Sequence, residues 1–250
     1  MKFRIAIIIF TVLFLGAATF GIIKRTGYSD LNKDPALAGE SLVITCDLEE
    51  LQRTIDLWKN GLPEDKEHDV PAVPGLRGRA AAILAVCCEE TPVYRYRCIT
   101  QKVSVQKVFL GSDIEKGETL DLVVGSVETP LKSRPELEGR FTLGLTGTNF
   151  MIREKIYLVF LSEDPLLRPA RKTLGFVSGM IRPQFCYEEI MNRPVPLVTT
   201  EFGFALFQDG QDNEFFLTSE EAIRFMAEYK AKLLEEYPLT DPAEEKGGAK

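Results

Sequence analysis

The chain has 250 residues, 45% of them hydrophobic and 27% charged, a globular composition that excludes a disordered or fibrous protein. Residues 1–25 hold four basic residues and no acidic ones, so the remainder sets 26 basic residues against 37 acidic, a net of about −11. Such an acidic body is repelled by phosphate backbones, and no basic patch interleaved with aromatics is present, so nucleic acid is excluded as a partner.

The first element is an apolar run, Ile5 to Ile23, without a charge, a proline or an amide side chain. At 1.5 Å per residue it rises close to the ~30 Å of a bilayer's hydrocarbon core. Lys2 and Arg4 precede it, and Lys24 and Arg25 follow it, which suits one transmembrane helix with cations at both ends. A cleaved signal peptide ending near Gly16-Ala17-Ala18 is the competing reading, against which the run continues five residues past Ala18. Residues 1–25 are therefore expected to be an anchor or signal segment and residues 26–40 a polar linker, ahead of an extracytoplasmic domain over residues 41–237.

Within the domain, Ser41 to Thr45 reads as a strand. A helix follows, with Asp47 and Glu50 as a capping box, Leu48, Leu51, Ile55 and Trp58 as its apolar stripe, and Gly61 as its stop. Residues 63–75 form a proline-punctuated loop. Arg79 to Val86 and Val93 to Leu110 are expected strands, the second with Val103, Val105 and Lys107 on one face. Gly111-Ser112-Asp113 and Lys116-Gly117-Glu118 make a corner, and Thr119 to Val124 returns with Leu120, Leu122 and Val124 inward. Gly125 to Asn149 is expected as a long loop holding one short strand.

Ile156 to Leu161 is continuously apolar, as in a strand covered on both faces. Leu174 to Val177 and Phe202 to Phe207 are further strands, and Asp209-Gly210 is expected as a hairpin tip before Glu214 to Leu217. The last element is a helix with a capping box from Thr218 and Glu221 and a buried face of Ala222, Phe225, Met226, Tyr229 and Leu233. Pro238 ends it, and residues 238–250 read as a disordered tail. The order is helix, about seven short strands, helix, without β-α-β alternation. That predicts an α+β fold, a small antiparallel β-barrel or sandwich with flanking helices.

Residues able to carry chemistry are scattered. His68 is the only histidine and lies in a charged loop, a poor place to hold a general base. Cys46, Cys87, Cys88, Cys98 and Cys186 lack the spacing of a zinc site. Cys87 or Cys88 could face Cys98 across a hairpin; buried unbonded thiols are the other reading. The pairs Glu49-Glu50, Glu89-Glu90, Glu188-Glu189, Glu220-Glu221 and Glu235-Glu236 read as helix starts or outer faces rather than an acid/base pair. Residues 209–215, DGQDNEF, lack the spacing of a calcium loop. Gly139, Gly144, Gly147, Gly175 and Gly179 lack the ending of a phosphate loop. Phe202, Phe204, Phe207, Phe215 and Phe216 read as core aromatics. No residue is assigned a catalytic, cofactor-binding or metal-binding role.

One stretch carries a family resemblance. Val105, Lys107, Val108, Phe109 and Gly111, then Gly117, Leu120 and Leu122, then Tyr157, Leu158, Val159 and Phe160 resemble the strand, corner and strand pattern of netrin-like, tissue-inhibitor-type modules. The resemblance covers about residues 76–161 and implies an OB-like five-stranded barrel of the kind found in bacterial surface proteins. The inhibitors' metal-coordinating N-terminal cysteine pair has no counterpart here, so the fold carries over and protease inhibition does not. The expectation is a single-pass membrane protein with its C-terminal domain outside the cytoplasm, binding or scaffolding a surface protein or envelope ligand and not acting as an enzyme. An envelope hydrolase built on carboxylates, or a thiol-active envelope protein, is the alternative.

Overall fold

Asp47 begins the first long helix as its spacing predicts. Its carboxylate accepts from the Glu50 N–H at 2.9 Å, Glu50 reaches back to the Asp47 N–H at 3.2 Å, and Gly61 at φ 68° ends the helix. The computed structural model describes residues 31–32, 35–65, 71–94, 98–128, 140–163, 174–177, 179–199 and 203–240. The chain divides into the units Met1–Leu37 and Ala38–Lys250, and the account below concerns the second. The expected membrane span, His68 and residues 241–250 of the tail lie outside the described residues. No helix among the described residues is long and apolar enough to cross a membrane.

In chain order the elements are α1 (Pro35–Gly39), β1 (Leu42–Ile44), α2 (Leu48–Asn60), α3 (Leu76–Arg79), β2 (Ala82–Cys88), β3 (Val93–Tyr94), β4 (Ile99–Leu110), β5 (Thr119–Glu128), β6 (Thr142–Gly144), β7 (Ile156–Glu163), β8 (Leu174–Phe176), β9 (Gln184–Cys186), β10 (Phe204–Leu206) and α4 (Glu220–Glu236). The fold is α+β and dominated by strands. The end of the stretch read as a linker is the helical turn α1, with Pro35 at its first position, where the missing N–H costs nothing.

Five strands close a circuit of pairings. β4 pairs with β5, β5 with β8, β8 with β7, β7 with β2, and β2 with β4. Register shifts bend the circuit: between Ile83 and Leu84, and between Ala85 and Val86, β4 carries an extra residue opposite β2. β7 is covered along one edge by β2 and along the other by β9 at Tyr157–Val159 and β8 at Leu161–Glu163. Its residues Tyr157 to Leu161 are all buried, as its unbroken apolarity predicts. The far end of β5 leaves the circuit to pair with β6, which joins β1 and then β10. Pairing is mostly antiparallel, but β1–β6 and β5–β8 are parallel, against the all-antiparallel expectation.

The corner between β4 and β5 forms at the residues read as turns. Gly111 and Gly117 sit at φ 122° and 87°, which a side chain would resist, and Gly117 donates to Val105 while Val105 donates to Glu118. The main core lies where α2 and α4 pack beside the strands. Trp58 meets Phe185 edge-on at 6.0 Å and Tyr229 at 5.8 Å, and Phe160 meets Phe185 and Tyr237 edge-on.

Other expectations are corrected as well. Val93 to Leu110 is not one strand: Val93 pairs with Thr100 and Tyr94 with Ile99, so the segment doubles back on itself. Phe204 to Leu206 and Glu214 to Leu217 do not form a hairpin. β10 pairs with β1 instead, residues 207–210 make a 3₁₀ turn, and residues 215 and 217 bridge to Thr148 and Cys46. The last helix is capped by Ser219, whose hydroxyl accepts from the Ala222 N–H at 3.2 Å, rather than by Thr218, whose N–H is tied to the Cys46 carbonyl. β9 is a further strand, at residues where none is expected.

Candidate functional site

Residues 145–151, 181–195 and 210–217 converge beside β7 and β9 with few ladder pairings among them. Backbone N–H and C=O groups buried there need other partners, and amide side chains provide them. Asn149 donates from Nδ2 to the carbonyls of Gly210, Gln211 and Asn213 at 2.8–3.1 Å and accepts from the Phe150 N–H at 2.7 Å. Asn213 exchanges hydrogen bonds with both backbone groups of Arg193. The Asn192 oxygen accepts from the N–H groups of Glu214 and Phe215 at 2.8 and 3.1 Å. Gln101, buried on β4, pairs with both backbone groups of Met151 as a neighbouring strand would.

Arg182 lies at the centre. It is 5% exposed, and its Nε donates to Gln184 Oε1 at 3.0 Å while Nη2 donates to the Thr148 and Asn149 carbonyls at 3.1 and 2.6 Å. The Phe176 ring lies 5.2 Å from its guanidinium carbon, within cation–π range. Its hydrogen-bond acceptors are all neutral oxygens. Burial, with no offsetting charge, pushes the guanidinium down to about 9.

A charged pair closes the same region. Glu214 Oε2 accepts from Lys230 Nζ at 2.6 Å, its Oε1 accepts from the Cys186 N–H, and Lys230 also reaches the Glu188 carbonyl. The Glu214 side chain is 1% exposed and that of Lys230 14%. Burial pushes the Glu214 carboxyl up, against the pull of Lys230 and of the Cys186 N–H. Tyr157, which accepts from the Ile152 N–H at 2.8 Å, lies against Cys186, and burial pushes both groups up.

From this framework one segment faces outward. In residues 188–199, Val195 is buried and donates its N–H to the Leu217 carbonyl, and the Val198 N–H donates to Phe204. Met191, Pro194, Pro196, Leu197 and Val198 are exposed, Met191 by 73%. Arg193 is exposed as well and touches the Met191 sulfur.

The residues singled out in the sequence are not gathered here. Cys87 sits opposite Ser104 and Cys88 opposite Val103, well along β4 from Cys98, so the cross-hairpin pairing with Cys98 is ruled out; all five thiols are free. Burial raises the thiols of Cys46, to about 12, and Cys88, to about 11. A thiol-reactive dye should therefore modify half-buried Cys87 and Cys98 first and the other three only after unfolding; three or more fast thiols in the native protein would contradict this burial.

The carboxylate pairs are engaged locally. Glu49 and Glu50 lie in the first turn of α2 and Glu220 and Glu221 in that of α4, while Glu89 meets Ser104, Glu90 meets Lys102 and Glu188 meets Lys155. The 3₁₀ turn at residues 207–210 and the residues after it, to Asn213, close on Asn149, and Phe215 and Phe216 are core. Among the described residues no three His, Cys, Asp or Glu side chains are grouped to hold a metal ion. The residues that organise the region, Gln101, Asn149, Arg182, Gln184, Asn192, Asn213 and Lys230, carried no motif. Arg182, a lone charge in the run GMIRPQFC, was the available signal. No protein-family model, curated protein or solved structure matches the chain.

Proposed function

We propose that the chain is a membrane-anchored, extracytoplasmic binding or scaffolding protein rather than an enzyme, built on an OB-like barrel of the netrin-like kind. The closed circuit of β4, β5, β8, β7 and β2 supports the barrel reading. The observation that carries the function is the outward segment at residues 188–199. Apolar side chains there stay exposed while Asn192, Asn213 and Val195 fix the backbone beneath them. A surface ordered before contact loses little entropy on binding, which is what a recognition loop on a rigid scaffold requires. The expected ligand is a surface protein or an envelope component.

Cross-linking of the full chain in its native membrane tests the reading. Alanine at Met191 and Leu197, together with Thr146 in the long segment Gly125 to Asn149, should remove the cross-linked partner. Retention of every partner would sink the assignment of these loops. Protease added to intact protoplasts should also remove a C-terminal epitope, and protection until lysis would put the domain in the cytoplasm.

A further inference from the structure

Resting on that reading, we infer that residues 191–197 are displayed as a preformed polyproline-type ridge, for a partner protein whose groove is lined by aromatic side chains and carries a carboxylate. Pro194 and Pro196 fix their own φ near −65°, and each forces the residue before it, Arg193 and Val195, into the extended or polyproline region. Four consecutive residues are thereby biased away from the helical region and toward the backbone conformation that winds as a left-handed helix of three residues per turn.

Exposure follows that period. Asn192 and Val195 hold one edge against the body of the domain, through the Asn192 side chain and the Val195 N–H. Met191, Pro194 and Leu197, each three residues from the next, form an exposed apolar edge, and Arg193 and Pro196 lie exposed on the third. A ridge of this shape is read by grooves in which flat aromatic rings pack between successive prolines and aliphatic residues.

Charge selects the partner further. Arg193 projects beside the apolar edge, and the side-chain contact found for it is the Met191 sulfur at 3.9 Å, a neutral group. A carboxylate at the matching end of the groove would pair with it and set the direction in which the ridge docks. The ordering cost of the segment is already met by the hydrogen bonds of Asn192, Asn213 and Val195, so a small groove suffices for recognition.

The test uses the full chain in its own membrane, with a photo-crosslinking residue at Val198, beside the ridge, and in a second sample at Arg140. Adduct formation at position 198 should fall at least tenfold when Pro194→Ala and Pro196→Ala are combined, with the thermal midpoint unchanged. It should also be competed by a synthetic peptide of residues 190–198 and not by the same peptide with both prolines replaced. The cross-linked partner residue should lie beside an aromatic groove, and Arg193→Glu should weaken the adduct at least tenfold.

Position-198 adducts that persist without the prolines, or that map to a partner site without aromatic residues, overturn the polyproline inference while leaving a binding protein. Adducts at Arg140 and none at Val198 do the same. Adducts at neither position overturn the inference and the binding function together.

Discussion

Replacing Arg182 by alanine is expected to lower the unfolding free energy by about 3–5 kcal/mol. The change strands two buried acceptors, Gln184 Oε1 and the Thr148 carbonyl, each of which costs about 1–3 kcal/mol when left without a donor, and leaves the Asn149 carbonyl with Gln184 Nε2 alone. Water entering the vacated space would recover part of that sum. Arg182→Lys should recover only a fraction, because one ammonium group cannot reach the acceptor of Nε and those of Nη2 together. Urea midpoints of the two variants decide the matter. A loss below about 1 kcal/mol for the alanine variant would mean that the converging segments hold together without the guanidinium.

Lys230→Met is the second large effect, expected to cost about 3–5 kcal/mol by leaving the Glu214 carboxylate buried without its counter-charge. Pairing it with Glu214→Leu should restore much of the loss, since two apolar residues then replace two charges. A double variant no better than Lys230→Met alone would show that the Cys186 N–H, left without its acceptor, matters more than the ion pair.

The pH dependence has a definite sign. The Glu214 carboxyl is raised in the fold, so the native state holds this proton more tightly than the unfolded chain does. The stability this group contributes is complete below its unfolded value, near 4.3, and declines as pH rises through the folded value. The advantage of the native sequence over Glu214→Gln should therefore shrink on going from pH 4 toward neutrality. An advantage that grows over that interval would show that Lys230 outweighs burial.

The parts of the fold legible in the sequence were those set by local chemistry. The capping box of Asp47 and Glu50 needs only four residues to declare itself, and the corner from Gly111 to Gly117 only seven. The buried strand at Ile156–Leu161 announced itself because both of its faces must be apolar. Where the outcome depended on distant segments, the sequence misled. Phe204–Leu206 has the composition of a hairpin arm, yet β1 takes it as a partner. Thr218 has the chemistry of a cap, but Cys46 already holds its N–H.

The buried polar region was illegible for a related reason. Asn149, Asn192 and Asn213 look like turn residues in isolation, and turn residues are normally solvated. Their importance comes from which carbonyls and amides the fold leaves without a ladder, and no short stretch of sequence records that. Only Arg182, set among apolar neighbours, departed from what its surroundings predict.

The place of β1 in the sheet has a consequence for biosynthesis. Its parallel neighbour begins at Thr142 and its antiparallel neighbour ends at Leu206, both far downstream. The ribosome therefore releases β1 long before either partner exists. For most of translation Leu42 and Val43, both fully buried in the finished protein, have no sheet to join. The β4–β5 hairpin can close as soon as its own corner is made. Completion of β1 waits on the last third of the chain, so a nascent chain stalled before Leu206 carries an unmatched apolar strand near its start, the kind of edge that chaperones bind and aggregates recruit.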